Sequence, residues 1–513
     1  MFYVPLYVEA LRARPAALFW SATLAQAALW IAVPMLFYAA PPGDLPLLLA
    51  IGHEFPWRGD FGPPLAFWLA EIAFRAGGLL AVYALSQLFV VITYWCVFAL
   101  GSAILGAAHA AIAVLLMVGI ALFTVPTPDF GPPILAMALW SIMLLHYWRA
   151  VVQGRRASWY ALGTAGALLL LTSDAALILI GLLALFTAAT ERGRAALGTM
   201  EPWIVAVVLV VFLFVHLLWL EGVGDRLTPL LRRLRDAELA NRNTAAWLRL
   251  LGALALAHAG LVILVALACG WPKPPAEPVP AIPRARPDAF AVTFVKVFAL
   301  VPALLATIVA VLVGSAQPIG GAAPLVVLSG LAVVMAAGDR IALSHQRALG
   351  YAWAGLLLIP ALFVPAVLLL LPWTTATELR VEQPAAAMGR FFADNFERRT
   401  GQPLAIVTGD QRTAALVALG APSRPSVYFD DDPQHSPWVT PDDIRHKGAV
   451  VVWLARDTSP TPPPDIRARF PDLVAEVPRT FDRPVQGRLP VLRVGWGVIR
   501  PGSAAAAAAV PAR

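Results

Sequence analysis

Long apolar stretches recur over most of the chain, and they restrict what it can fold into more than any other feature. Each has about 20 residues, the length that an α-helix needs to cross the hydrocarbon core of a bilayer. Apolar residues make up 59% of the 513 positions and charged residues 13%, about half the charged fraction of a soluble domain. The sequence therefore predicts a mainly α-helical, polytopic membrane protein and excludes a soluble globular enzyme.

The spacing of these stretches predicts about eleven spans. They lie near 16–39, 79–100, 104–124, 132–148, 159–173, 175–190, 203–220, 250–270, 291–314, 319–337 and 351–372. The segments 159–173 and 175–190 are each short for a full span, and Thr172-Ser173-Asp174 lies between them. They form either one kinked helix or two helices that meet near the outer surface.

The basic residues are spread over short loops instead of forming one patch. The net charge of +7 therefore does not indicate a nucleic-acid partner, which would need a basic arm or face. Under the positive-inside rule, the loop charges place the N-terminus in the cytoplasm and the C-terminal region outside. The loop 221–249 violates this rule, because it carries Arg226, Arg232 and Arg233 on the predicted outer side. Either the span count is wrong there, or these arginines face an anion outside the membrane.

Two predicted external segments hold most of the candidate chemistry. The first, 41–78, is too long for a simple turn and too polar to span. Its stretches Leu45–Ile51 and Leu65–Phe74 are typical of short amphipathic helices that lie in the membrane interface. The second is the short turn at 125–133.

Four carboxylates stand out in these two segments. They are Asp44, Glu54, Asp60 and Asp129. Acidic residues near membrane helices are costly and are therefore functional candidates, so a pocket at the outer surface could gather several of them. The alternative is that they are solvated charges or helix caps. Asp44, which follows Pro41-Pro42-Gly43, has the sequence context of an N-cap.

Other polar residues of the apolar stretches give weaker signals. His216 lies near the outer end of its predicted helix, and a lone histidine there is more often hydrogen-bonded structure than a ligand. No His, Cys, Asp and Glu set has the spacing of a zinc site, so no metal ligand is assigned, although a divalent metal remains possible. Cys96 and Cys269 both fall in apolar stretches and form no C-x-x-C pair.

The composition changes at Thr374, where charged residues return. Apolar runs of strand length at Leu404–Thr408, Ser426–Phe429 and Ala449–Leu454 alternate with helical stretches, which predicts a small α/β domain. We therefore predict a transmembrane domain at 1–373, an extracytoplasmic α/β domain at 374–502 and a disordered low-complexity tail at 503–513.

The first external loop resembles a known family. Asp44, the helical stretch Leu45–Ile51 and Gly59-Asp60-Phe61-Gly62-Pro63-Pro64-Leu65-Ala66-Phe67-Trp68 are similar to the corresponding loop of family 39 glycosyltransferases in the GT-C superfamily. That group includes protein mannosyltransferases and lipid A aminoarabinose transferases. The resemblance covers about the first 220 residues and extends to Thr127-Pro128-Asp129.

The chain also departs from that family's pattern. Leu45 stands where protein mannosyltransferases usually have a second acid, and Gly62 stands where a His or Gln often precedes the proline pair. The lysine common in the kinked helix pair is absent, with Ser173 and Asp174 in its neighbourhood. The resemblance therefore implies the superfamily and the donor class more directly than the substrate.

The resemblance implies an inverting transfer of a sugar from a polyprenyl phosphate to an acceptor hydroxyl. It assigns the catalytic base to Asp44, with Asp129 and Asp60 as further catalytic candidates. Cations must stabilise the departing lipid phosphate. The substrate-binding candidates are Glu54, Arg58, His216, Arg226, Arg232 and Arg233. The implied partners are the donor, membrane lipids and an envelope glycan, lipid or protein acceptor, in a bacterial inner membrane with the C-terminal domain in the periplasm.

Two other functions remain open at this point. The chain could be a lipid or glycolipid transporter, although we find no internal repeat of the kind common in transporters. It could also be a non-catalytic family member that binds glycolipid, which the departures from the family pattern allow.

Overall fold

The computed structural model describes residues 9, 11–57, 61–221, 237–270, 285–341, 346–375, 377–429 and 436–502. The chain divides into two compact units. The membrane unit comprises Met1–Ala32 and Tyr83–Phe363, and the loop–sheet unit comprises Val33–Val82 and Val364–Arg513. The domain boundary after residue 373 stays a prediction, and the tail 503–513 lies outside the described residues.

The first 375 residues are almost entirely helical wherever they are described. The helices are α1 Pro15–Phe37, α2 Leu45–His53, α3 Leu65–Leu105, α4 Ala107–Met117, α5 Pro132–Val151, α6 Ala157–Leu170, α7 Ala175–Ala189, α8 Glu191–Ala196, α9 Glu201–Glu221, α10 Ala237–Ala257, α11 Ala259–Ala268, α12 Ala289–Val313, α13 Ser329–Ala337 and α14 Gln346–Thr374. α3 is broken at Gly77 and Gly78, whose backbone angles are not helical. The predicted interfacial helix at Leu65–Phe74 is therefore separated from the span that follows it.

The described residues contain fewer full-length spans than the sequence predicts. Among the described residues, five helices are long and apolar enough to cross a membrane, namely α1, α3, α5, α12 and α14. α10 and α11 would add a sixth as one span bent by 45°. The other apolar helices have 10–17 residues where their side chains are described, so the predicted count of eleven is not confirmed. The segments on either side of Thr172–Asp174 are two helices, α6 and α7.

Small residues and aromatic rings pack the membrane unit. A Cβ at Gly119 would overlap the backbone of Gly260, and the N–H of Leu261 donates to the Gly119 carbonyl at 3.0 Å. Glycine therefore permits the close backbone approach that membrane helices use in place of a hydrophobic driving force. Elsewhere Tyr147 stacks on Phe294 with ring centroids 5.9 Å apart.

A five-stranded mixed sheet forms the centre of the loop–sheet unit. Its strands are β1 Ile406–Gly409, β2 Ser426–Tyr428, β3 Ala449–Leu454, β4 Val474–Phe481 and β5 Leu492–Ile499, and its helices are α15 Ala385–Thr400, α16 Gln411–Gly420, α17 Pro441–Lys447 and α18 Pro464–Arg469. The strand order is β2-β1-β3-β5-β4. β1 pairs in parallel with β2 and β3, whereas β5 is antiparallel to β3 and β4. The predicted α/β character and the three predicted strands are confirmed.

The sequence did not reveal β4 and β5. β4 contains Pro478 and alternates poorly between apolar and polar residues, which argues against a strand on local grounds. β5 contains Gly495 and Gly497, but a Cβ at Gly495 would overlap the ring of Trp453 on β3. The glycine is therefore required by a neighbour 42 positions away along the chain (495 − 453), which no local pattern encodes.

Candidate active site

Asp44 lies at the start of α2 and keeps its carboxylate available. Gly43 has a positive φ of 50°, a conformation that suits glycine, and this turn leads directly into the helix. Asp44 occupies the N-cap position, but its side chain makes no capping hydrogen bond and is exposed. Within the described part of the chain, its carboxylate has no hydrogen-bond or ion-pair partner. The interpretation of Asp44 as a helix cap therefore fails, and an unengaged acid lies at a helix N-terminus.

The backbone around Asp44 is held by the C-terminal part of the chain. Arg412, on the first turn of α16, donates from Nη1 to the carbonyl of Gly43 at 2.6 Å. The carbonyl of Val381 accepts from the N–H groups of Ala39 and Ala40, both at 2.9 Å. The turn that carries Asp44 is therefore hydrogen-bonded at Ala39, at Ala40 and at Gly43. These bonds restrict where the Asp44 carboxylate can point.

Glu71 forms the centre of a buried ionic cluster in the same unit. Its side chain is only 1% exposed. One carboxylate oxygen contacts His53 Nδ1 at 3.1 Å and Arg75 Nε at 2.8 Å. The other accepts from Arg424 Nη2 at 2.8 Å. A buried carboxylate is stable only when it is paired in this way.

The cations of this cluster are themselves enclosed. The Arg424 guanidinium lies 4.5 Å from the ring centroid of Phe74. Burial lowers the pKa of Arg424, and the negative charges of Glu71 and Glu54 oppose that shift. Two arginines therefore face two carboxylates, so the cluster is electrically balanced. It is suited to hold the loop in place, not to bind an anion.

The two candidate site acids of the first loop that the structure describes do not adjoin each other. Asp44 precedes α2 and Glu54 follows it, and a helix of nine residues is about 14 Å long. Glu54 is half-buried, and its Oε1 is buried with no hydrogen-bond partner among the described residues. Arg58, Asp60, Arg226, Arg232 and Arg233 lie outside the described residues, so their proposed roles stay predictions.

Asp129 belongs to the membrane unit, in a well-braced turn. The neighbouring Thr127 is fully buried. Its hydroxyl donates to the carbonyl of Thr124 at 2.7 Å and accepts from Gln87 Nε2 at 2.9 Å, and its carbonyl accepts from Ser86. Asp129 itself is half-buried. The turn can therefore present a carboxylate in a defined position.

His216 is held by hydrogen bonding inside the membrane unit. It is fully buried, and its Nδ1 lies 2.8 Å from the carbonyl of Leu170. That carbonyl accepts only, so Nδ1 carries the proton. Nε2 lies 3.3 Å from Asp174 Oδ1, and a proton on this nitrogen would complete the pair. The Leu170 contact agrees with a structural role, and the predicted substrate-binding role is not tested by it.

Sequence reasoning missed the residues that organise the first loop. Glu71 and Arg75 carried a local signal, because an acid and a base four residues apart on an amphipathic helix form an ion pair. Arg412 and Arg424 carried none, since their partners lie more than 300 positions earlier. Across the described residues, no group of three or more His, Cys, Asp or Glu side chains is arranged to hold a metal ion. The possibility of a divalent metal stays a prediction.

Residues 62–219 match the family model of dolichyl-phosphate-mannose-protein mannosyltransferases. This match to a GT-C mannosyltransferase family confirms the resemblance that the sequence shows over about the first 220 residues.

Solved structures show the same fold over nearly the whole length. The crystal structure of ArnT from Cupriavidus metallidurans bound to undecaprenyl phosphate matches with a TM-score of 0.57 at 12% identity, covering 94% of this chain and 97% of that one. The apo structure of the same protein matches with a TM-score of 0.55 at 13% identity, covering 97% and 99%. No curated protein matches the sequence significantly.

Proposed function

We propose that this protein is a membrane glycosyltransferase that moves a sugar from a polyprenyl-phosphate donor to an acceptor hydroxyl. The family match over 62–219 supports the reaction class, and the fold shared with an undecaprenyl phosphate-bound ArnT supports the donor class. The observation that carries the proposal is the exposed carboxylate of Asp44, which is unengaged among the described residues although it occupies a cap position.

Asp44 acts as the general base in this proposal. Its carboxylate takes the proton from the acceptor hydroxyl as the oxygen attacks the anomeric carbon. A new glycosidic bond forms on the face opposite the leaving group. The bond to the donor phosphate breaks, and its electron pair leaves with the polyprenyl phosphate. General-base assistance of this kind is worth about 10²–10⁴ in rate.

The other candidates take supporting roles. Negative charge grows on the departing phosphate and requires fixed cations, for which Arg58, Arg226, Arg232 and Arg233 are proposed. The further catalytic candidates are Asp60 and Asp129, and Glu54 and His216 are proposed to contact substrate.

The proposal also includes a cellular setting. The acceptor is an envelope glycan, lipid or protein, and the site faces the periplasm of a bacterial inner membrane. The N-terminus then lies in the cytoplasm. The apolar helices support membrane integration, and the bacterial setting rests on the likeness to ArnT.

Mass spectrometry of envelope glycolipids and glycoproteins from a deletion strain tests this function. The strain is complemented with wild type, with Asp44→Asn or with Asp442→Asn as a matched control at an exposed acid of α17. We expect the deletion to lose one sugar modification. Wild type and Asp442→Asn should restore it, and Asp44→Asn should restore about 1% or less at early times. Full restoration by Asp44→Asn in equal amounts of membrane protein would remove Asp44 from the mechanism.

A further inference from the structure

An apolar cavity of about 430 Å³ lies among α5, α6, α7 and α9 of the membrane unit. Its polar lining atoms include the hydroxyls of Tyr147 and Thr187, which hydrogen-bond to each other at 2.9 Å. Thr187 also donates to the carbonyl of Leu183 at 2.6 Å. Because these hydroxyls are satisfied within the protein, the cavity offers little to water or to a polar ligand. Its walls suit a hydrocarbon chain.

The length of the cavity fits one leaflet of a bilayer. Pro202 and Leu213 on α9 both line it, and the 11 positions between them (213 − 202) correspond to about 16 Å of helix. Half of a hydrocarbon core of about 30 Å is about 15 Å. A phospholipid acyl chain occupies this depth, whereas a polyprenyl chain is far longer.

Arginines lie in the turns and the short helix that adjoin the cavity residues Trp159, Leu197 and Pro202 along the chain. The four arginines in the adjoining turns and in α8 are Arg155, Arg156, Arg192 and Arg194. Arg156 lies 3.5 Å from Glu201, and Arg192 lies 2.7 Å from Asp288.

The last two arginines differ in what they contact. Arg194 donates to the carbonyls of Ala188 and Ala189 at the end of α7. Arg155 is exposed, and its guanidinium has no partner among the residues that the structure describes. Glu191, the acid of α8, is exposed. The four arginines at this end therefore outnumber the three acids Glu191, Glu201 and Asp288.

Exposed aromatic side chains flank the same end. Tyr160 is 52% exposed and Trp203 is 56% exposed, and the indole N–H of Trp203 donates to the carbonyl of Leu197 at 3.0 Å. Tyr and Trp collect at the level of lipid headgroups. The basic end of the cavity therefore lies where a lipid phosphate would be, and the apolar body lies where its chain would be.

We propose that this cavity binds one anionic glycerophospholipid, with an acyl chain among α5, α6, α7 and α9 and the phosphate at Arg155. The apolar lining selects the chain, and the unpaired guanidinium selects a negative headgroup. The site is independent of the transfer reaction proposed above, since it uses none of the same residues. Its occupant braces α7 and α9 against each other.

A substitution at one glycine can fill the cavity without a clash with the backbone. Gly181 on α7 lines it, and a Cβ at this position would meet no atom within 4 Å. Gly181→Phe therefore places a ring in the acyl-chain path, with the smaller Gly181→Leu as a second variant if the first does not fold. Gly252 on α10 also has open space around a Cβ and does not line the cavity. Gly252→Phe is the matched control.

Native mass spectrometry of the full chain in detergent, titrated with phosphatidylglycerol and with phosphatidylcholine of the same acyl chains, tests the site. We expect one tight phosphatidylglycerol in wild type and in Gly252→Phe, and its loss in the folded Gly181 variant. Arg155→Gln should weaken phosphatidylglycerol by about tenfold and leave phosphatidylcholine unchanged.

Three results would overturn the proposal. Unchanged binding in the folded Gly181 variants would show that the acyl chain lies elsewhere. Equal affinity of wild type for both phospholipids would show that the site does not select an anionic headgroup. Tighter binding of undecaprenyl phosphate than of phosphatidylglycerol to wild type, with loss of the undecaprenyl phosphate in the folded Gly181 variants, would identify a polyprenyl chain as the occupant.

Discussion

Arg424 Nη2 lies 2.8 Å from Glu71 Oε2, and it joins a loop near the start of the chain to the sheet domain at its end. The two residues are separated by 353 positions, and both side chains are largely withdrawn from solvent. His53 and Arg75 engage the other oxygen of the same carboxylate. The first loop and the C-terminal sheet therefore form one compact unit, in which the loop that carries Asp44 is fixed by residues from the opposite end of the sequence.

Removal of the charge at Glu71 should destabilise this unit strongly. Glu71→Gln removes the negative charge that both Arg424 and Arg75 contact, and the loss of one member of a buried pair costs about 3–5 kcal/mol. The apparent Tm of the purified full chain and the protease resistance of the first loop report the change. Asp442→Asn is the control, because its pair with Arg445 is 72% exposed on both sides and should matter little. Equal stability of the two variants would show that the ion pairs of Glu71 do not stabilise this unit.

Arg412 should position the Asp44 turn without touching substrate. Arg412→Gln removes the hydrogen bond to the Gly43 carbonyl, so sugar transfer should fall about tenfold or more through misplacement of Asp44. The loss should appear in kcat more than in KM, and Arg412→Lys should recover part of it because one donor suffices for this contact. Arg398→Gln, on the exposed face of α15, is the control. A loss confined to KM, with no recovery by lysine, would instead indicate a substrate-binding residue.

Glu382 should make the folded protein less stable as the pH rises, whereas most acids in folded proteins have the opposite effect. It is 3% exposed, and neither carboxylate oxygen has a hydrogen-bond partner among the described residues. Burial raises its pKa above 4.5, Arg483 opposes that shift and Glu378 adds to it. Between the unfolded and the folded pKa the native state binds more protons, so stability falls as the pH rises through that interval.

Glu382→Gln should abolish this dependence. The variant should be more stable than wild type at neutral pH and close to it below pH 4.5, where the acid is protonated in both states. Apparent Tm of the two proteins over a pH series measures the difference. A difference that stays constant with pH would show that Glu382 does not titrate in this way.

The orientation of the chain can be tested directly. The arginines of alternate loops predict a cytoplasmic N-terminus and an external segment after residue 374. A reporter that works only in the cytoplasm, fused after Arg380, should therefore be silent, and the same reporter after Arg194 should be active. The reverse pattern would move the Asp44 turn to the other side of the membrane.

The sequence alone determined which segments are helical and that the protein lies in a membrane. Apolar composition and caps are local properties, so Leu45–Ile51 was correctly predicted as a helix and appears within α2. The strands β1, β2 and β3 were found for the same reason. The motif from Gly59 to Trp68 was sufficient to indicate the superfamily.

Tertiary structure decided what surrounds each functional side chain. An N-cap sequence at Asp44 did not lead to a capping bond, because the turn before it is held instead by Arg412 and Val381. The length of a span likewise depends on packing, since short helices such as α6 and α7 can lie against neighbours without crossing the bilayer alone. The ion pair of Glu71 with Arg424 depends on folding between distant segments, and local sequence carries no record of a partner 353 positions away.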